Sequence, residues 1–530
     1  MPETPAGSRS DAELSPPRSR RKGCGCWTIL LVCLLTPPSF AAAGYGLWRW
    51  TAAAQVANLI AAAEERGEPT TIEELEALYP STPENERATE LWRLAADAAT
   101  PKDPNIAGEL GRLYTELDNG VPSHEMRSQG ARATFDEEGL LVDVYRPVAE
   151  RFRGEIAAAV ESAEDAEQAG GTTRFLIVGE RILGSIEHWN RFLALFAPLR
   201  LEIELRRVQG DADGVARGIA TMLALGEALK NEPDPNAQAV RWWSVVESVQ
   251  PLKASLIRDD LSDESLENLQ SRYEAVSFDA AIRPALLAHQ LIEIRRSHNQ
   301  ERMHEGYGRT RYCPEEVTAL TLGSLREMID AAESPDAAVA AHDGIRDRMR
   351  ELVWGPGTND MTRWMTGMRY AEPADRLDDI RTSAYGMRNG ELYARFAATA
   401  IACVRYRHAE GELPETLDAL VPKYLSEVPR DVLAEPAAPV KYLATEAGFV
   451  VYSVGRDQKD DGATRPDGRE LDDVLRIEKA EFAPPPLLDE EYLSLDGDEG
   501  AVEETPSDEP PGEEEASESS EESGAPAEQP

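Results

Sequence analysis

Basic residues, cysteines, aromatic rings and strand-forming runs are all scarce in this chain of 530 residues. Lys and Arg number 55 against 97 Asp and Glu, a formal net charge of −42. Nucleic acids are gripped by clustered Lys and Arg, so an excess of this sign excludes them as the expected partner. Adsorption of a basic surface to anionic lipid is excluded on the same ground. Five cysteines in a chain this long exclude a disulfide scaffold. Val/Ile/Thr runs of period two are nearly absent before residue 390, which excludes an all-β body. The sequence also lacks a Gly-rich phosphate loop, an HExxH helix and a Gly-x-Ser-x-Gly elbow. His298, His304 and Cys313 form the only local trio of soft ligands, and their spacing fits neither a helical face nor a zinc ribbon.

What is present begins at the N-terminus. Residues 1–25 are polar, Pro/Ser-rich and close with Arg18, Arg20, Arg21 and Lys22, and read as a disordered cytoplasmic segment. Residues 26–50, from Cys26 to Trp50, are apolar and match the roughly 20 residues that span a bilayer core. Trp27 stands at one end, with Tyr45, Trp48 and Trp50 at the other, where amphipathic rings suit water–lipid interfaces. The positive cluster comes first, so the expected topology is a single-pass anchor with the N-terminus cytoplasmic and the body exported. A cleaved signal peptide, with an h-region at Trp27–Thr36 and a site at Ala41-Ala42-Ala43, is the rival reading. Apolar and aromatic residues continue past those alanines and favour the retained anchor. Either way the body is exported, to the periplasmic side of a bacterial inner membrane.

Residues 51–388 read as helix almost throughout. Thr71 with Glu74 forms a capping box, and Thr82 followed by Pro83 starts the next helix. Leu140–Gln168 and Phe175–Leu199 carry apolar residues at spacings of three and four, the stripe of a helix facing a core. Leu201–Leu229 reads as helix, Gly210-Asp211 turn, helix, and is similar to one tetratricopeptide-type hairpin, without a 34-residue period beside it. Further helices are predicted at Ala237–Ile257, Ser262–Val276 and Ala280–Met303. The fold class expected is therefore mainly α: a transmembrane helix, then stacked helical hairpins in a solenoid-like array. Trp354–Tyr370, rich in Gly, Met and Trp, is expected as a packed loop or a hydrophobic lip.

Residues 389–480 change character. A helix at Leu392–His408 leads to a short Pro-started helix, Pro414–Leu420, and to β-prone runs at Val440–Leu443 and Phe449–Val454, an α+β module. Residues 481–530 are Pro-, Glu- and Ser-rich, with 18 acids and no base, a composition that cannot build a core and reads as a disordered acidic tail.

Within the module, Leu413-Pro414-Glu415-Thr416-Leu417-Asp418-Ala419-Leu420-Val421-Pro422 resembles the loop of the type II secretion major pseudopilin. Val428-Pro429-Arg430-Asp431 resembles the turn that follows it, and Tyr452-Ser453-Val454-Gly455-Arg456-Asp457 its strand end. The likeness covers under a fifth of the chain. It implies a calcium ion in the loop after that strand, held by Asp457, Asp460, Asp461 and Asp472 (or Asp473), and hard carboxylate oxygens on a Gly-containing loop suit that ion. Two departures stand out. Val432 replaces the proline of the family's turn, and Gly25 is followed by no glutamate at the fifth position, so processing as a pilin is not expected. The whole plan is similar to large single-pass membrane proteins of planctomycete-type bacteria, a resemblance that carries no activity.

The function expected is that of a membrane-anchored, extracytoplasmic helical scaffold that binds a protein partner and performs no catalysis. The lipid bilayer would be met through residues 26–50. The alternatives are a component or regulator of a secretion or pilus-like machine, acting through residues 389–480, and an extracytoplasmic hydrolase working with scattered carboxylates.

Overall fold

The computed structural model describes residues 25–100, 108, 153–175, 186–298, 314–355, 360–434, 438–455, 458–460, 462–463 and 474–478. The N-terminal segment before residue 25, the expected start of the Leu140 helix, His124, His304, Cys313, Asp457, Asp461, Asp472 and the acidic tail lie outside these residues.

The chain is mainly helical with a small antiparallel sheet region. Helix α1, Gly25–Glu65, is 41 residues long and continues across Pro37-Pro38. Among the described residues no helix is long and apolar enough to cross a membrane. The C-terminal part of α1 belongs to the body: Ala52, Val56 and Ala63 are buried, and Arg49 pairs with Glu315.

Two short helices follow, α2 (Ile72–Leu78) and α3 (Pro83–Ala98). Their starts obey local chemistry. The Thr71 hydroxyl accepts from the Glu74 N–H at 3.3 Å, while the Glu74 carboxylate accepts from the N–H groups of Thr70 and Thr71 at 2.8 and 3.2 Å. In α3, Asn85 does the work of the box glutamate, accepting from the Thr82 N–H at 2.8 Å.

The body continues with α4 (Arg153–Ala169), α5 (Ile186–Leu193), α6 (Phe196–Val208), α7 (Ala212–Ala228), α8 (Pro235–Arg258), α9 (Asp263–Glu274), α10 (Asp279–His298), α11 (Pro314–Ala331), α12 (Pro335–Trp354) and α13 (Asp360–Glu410). The Gly210-Asp211 turn forms as expected, with Gly210 at φ +71° and Asp211 capping α7 through the Gly214 N–H. The helix break expected at Leu199–Leu201 falls instead at Ala194-Leu195. Pro198 sits in the first turn of α6, where its missing N–H has no helical acceptor. Trp189, Phe192 and Phe175 fix that corner by ring packing, Phe175 edge-on to both others and Trp189 tilted against Phe192, with centroids 4.9–5.5 Å apart.

Helix α13 is the largest departure from the sequence reading. It runs 51 residues, covers part of the expected Trp354–Tyr370 loop and passes residue 388 unbroken. Its packing on α8 depends on Gly386 and Gly390, one turn apart. A Cβ on Gly386 would stand 2.3 Å from the Trp242 indole nitrogen, and one on Gly390 would stand 2.9 Å from the Trp242 Cβ. Because α13 packs on α8, α9, α11 and α12, distant segments share one interior, unlike a solenoid in which each repeat meets only its neighbours.

After α13 come a 3-10 turn (Leu417–Leu420), a two-residue ladder of β1 (Arg430–Asp431) with β2 (Ala438–Pro439), and the antiparallel sheet β3 (Lys441–Ala444), β4 (Gly448–Tyr452) and β5 (Val474–Glu478) in that order. Val451 lies opposite Tyr442 on one side and Leu475 on the other. Gly448 opens β4 at φ +155°, and a Cβ there would stand 2.0 Å from the Ile477 carbonyl oxygen, so only glycine lets β5 approach. One continuous core runs from Trp92 through Ile219, Val245 and Phe396 to Phe449 and Ile477. The described residues belong to one compact unit. A second core joins Val56 of α1 to α10–α13.

Candidate functional site

Of the four expected calcium ligands, Asp460 alone is described. Its carboxylate accepts from the Tyr452 hydroxyl at 3.0 Å and the Gly462 N–H at 3.1 Å, and lies 3.4 Å from the Lys441 ammonium. Partial burial opposes ionisation, but these donors outweigh it and hold the carboxyl below its ordinary value. Both oxygens are engaged by protein groups and a cation faces one of them. As it stands, Asp460 is committed to protein donors. Among the described residues no three His, Cys, Asp or Glu side chains converge on a metal position.

Asp431 is the aspartate with the built environment. It is 2% exposed and accepts from the Leu433 N–H (2.8 Å), the Ser453 hydroxyl (2.8 Å) and the Val454 N–H (3.1 Å). Two of the segments that resemble the pseudopilin module, residues 428–431 and 452–457, are thus tied to each other. Helix α13 closes the joint from beneath, with Arg388 donating to the Val432 carbonyl at 2.9 Å and Arg395 to the Arg430 carbonyl at 2.7 Å. Reading the sequence for metal ligands passed over Asp431. The visible signal was a lone acid between a proline turn and a hydrophobic run.

Glu232, in the turn before α8, makes a similar joint in the body. Its carboxyl accepts from the Phe175 N–H at 2.7 Å and the Thr173 hydroxyl at 2.9 Å. Burial pushes it up to about 8, with Asp234 adding to the rise and the two donors opposing it. His342, fully buried on α12, lies between Asp343 (3.2 Å) and Asp378 (3.6 Å); burial lowers its pKa against the pull of those acids. Cys403 is buried in α13 and its thiol is pushed up by the same loss of solvent.

An opening lined by charged side chains lies where the ends of α4, α7 and α9 meet α8 and Trp92. It is a cavity of about 300 Å³, at the lower end of the range for small-molecule sites. Its apolar wall includes Trp92, Leu223 and Val245, and its polar groups are Glu167, Glu227, Arg241 and Arg272. Three of the four are used locally. Glu167 pairs with Arg272 at 2.8 Å and accepts from the Thr221 hydroxyl at 2.5 Å, and Glu227 pairs with Lys230.

Arg241 is different. It is 5% exposed, donates to the Ser277 carbonyl at 2.7 Å and to Gln238 at 3.3 Å, and rests 4.2 Å over the Phe278 ring. Among the described residues no carboxylate pairs with it directly. Burial pulls it down to about 10, with the more distant charges of Glu227 and Glu391 opposing, so it stays cationic at neutral pH.

No protein-family model matches this chain, and no curated protein or solved structure matches it. The sequence pattern had placed Arg241 only within a helix; its burial without a directly paired acid required the packing of α7, α8 and α9 to be seen.

Proposed function

We propose that this chain is a membrane-attached, extracytoplasmic helical scaffold that binds other molecules without transforming them. The observation that carries the reading is the exposed apolar run on α1: Tyr45, Leu47 and Trp50 are 45%, 61% and 68% exposed, a few residues before Ala52, Val56 and Ala63 enter the body. Exposed aromatic rings at that point suit a water–lipid interface. A single helix shared by the apolar segment and the body would fix the body's orientation to the membrane instead of leaving it on a tether. The acidic excess favours a basic or neutral partner surface over nucleic acid or anionic lipid.

Fractionation tests the attachment. The full chain should stay with membranes through an alkaline carbonate wash, and a chain lacking residues 1–50 should be released. Release of the full chain would overturn the proposal. For the scaffold role, a photo-crosslinking residue placed at the exposed Trp243 of the intact chain should join a specific partner in membranes. No adduct there or at the exposed Leu352 would count against it.

A second reading, docking to a secretion or pilus-like machine through residues 389–480, draws support from the Asp431 joint. The resembling segments lie side by side, as a shared module requires. Crosslinks from the module to a major pseudopilin are its expected result, and their absence where pseudopilin contacts are otherwise recovered would remove it.

A further inference from the structure

We propose that the cavity between α4, α7, α8 and α9 is a binding site for a small amphipathic carboxylate, with the ligand's anionic head on Arg241 and its apolar body against Trp92, Leu223 and Val245. A guanidinium withdrawn from water is stabilised by a carboxylate partner or by a full set of acceptors. Arg241 has one carbonyl, one side-chain amide and an aromatic face, and open space beside it. Arg272, the other cation at the cavity, already spends its charge on Glu167. An anion entering the cavity therefore meets a cation that no carboxylate pairs directly, in a poorly solvated place, with Glu227 and Glu391 acting on it only from a distance.

The same residues choose among anions. The guanidinium fork matches a planar carboxylate, with two parallel N–H donors for two oxygens. Glu227 also lines the cavity and repels a dianion such as a phosphate monoester more than a singly charged head. A bare inorganic anion would leave the apolar wall unfilled. The site thus selects a monoanion carrying a hydrocarbon or aromatic body. It is independent of the attachment proposed for α1.

Calorimetric titration of the intact chain in nanodiscs, with empty nanodiscs as the blank, tests this. The probes are octanoate, 1-octanol and octylammonium. Octanoate should bind saturably with one site, while octanol and octylammonium bind at least about tenfold more weakly, the loss expected for a missing charge-assisted hydrogen bond. Arg241→Gln should weaken octanoate by a similar factor. Ala275→Trp, at the exposed lip of the cavity, should abolish binding while leaving the melting temperature in place, and it decides the matter if Arg241→Gln does not fold. The proposal is overturned if octanoate does not saturate, if octanol binds as tightly, or if Ala275→Trp binds octanoate unchanged.

Discussion

The joint at Asp431 and the cavity at Arg241 each bury an ionisable side chain that, among the described residues, makes no direct ion pair, and they handle it in opposite ways. Asp431 is surrounded by donors fixed by the backbone: two N–H groups and a hydroxyl leave its oxygens no need of solvent. Arg241 receives fewer partners than its five N–H groups can use, and space lies beside it. A charge met by fixed dipoles is part of the framework. A charge that is only partly met, next to a cavity, is poised to accept a ligand.

The sharpest way to break this comparison is to remove each charge. Asp431→Ala should destabilise the chain by about 3 kcal/mol, because it strands buried donors at the α13–sheet joint. Arg241→Met should cost clearly less, about 1 kcal/mol, since relief of a buried cation offsets the acceptor it leaves unmet on Gln238. Equal losses in denaturant unfolding of the two variants would erase the distinction.

Glu232 sharpens it through pH. Its carboxyl is raised from 4.5 to about 8 in the folded chain, so the folded state holds the proton over a window in which the unfolded state has released it. Stability should therefore fall as pH rises from about 4.5 to about 8 and level off above, by roughly 5 kcal/mol in all. Glu232→Gln keeps an acceptor for Phe175 and Thr173 but does not titrate, and should flatten that slope. A slope of the same size in the variant would assign it to other groups.

Smaller effects follow at the helix starts and in the acidic loop. Thr82→Ala, which removes the α3 cap, should cost about 1 kcal/mol in the same unfolding measurement. Replacing chelator with saturating calcium should leave the melting midpoint unchanged, given how Asp460 is occupied. A rise with calcium would restore the loop as a metal site.

Much of the helical framework was legible in the residues because its signals are local. Thr71-Glu74, Thr82-Pro83, Gly210-Asp211 and Ser262 each set a helix start or turn through contacts within four residues. The β4 strand was legible for the same reason, while β5 and the β1–β2 ladder were missed. A strand as short as Arg430–Asp431 exists only because its partner arrives from elsewhere. The length of α13 was also hidden, since Asn389-Gly390 reads locally as a turn while the helix is held by glycine contacts to Trp242 that no local pattern reveals.

By itself, then, the sequence determined a predominantly helical, acidic chain with an apolar N-terminal stretch and a small strand-bearing region near its end, because composition, periodicity and capping act over a few residues. Tertiary structure alone decided which acids and bases are buried and whether their partners are close. Asp431 became a tie and Arg241 an open cation because segments far apart in the chain met around them, and desolvation acts on whatever packing brings together.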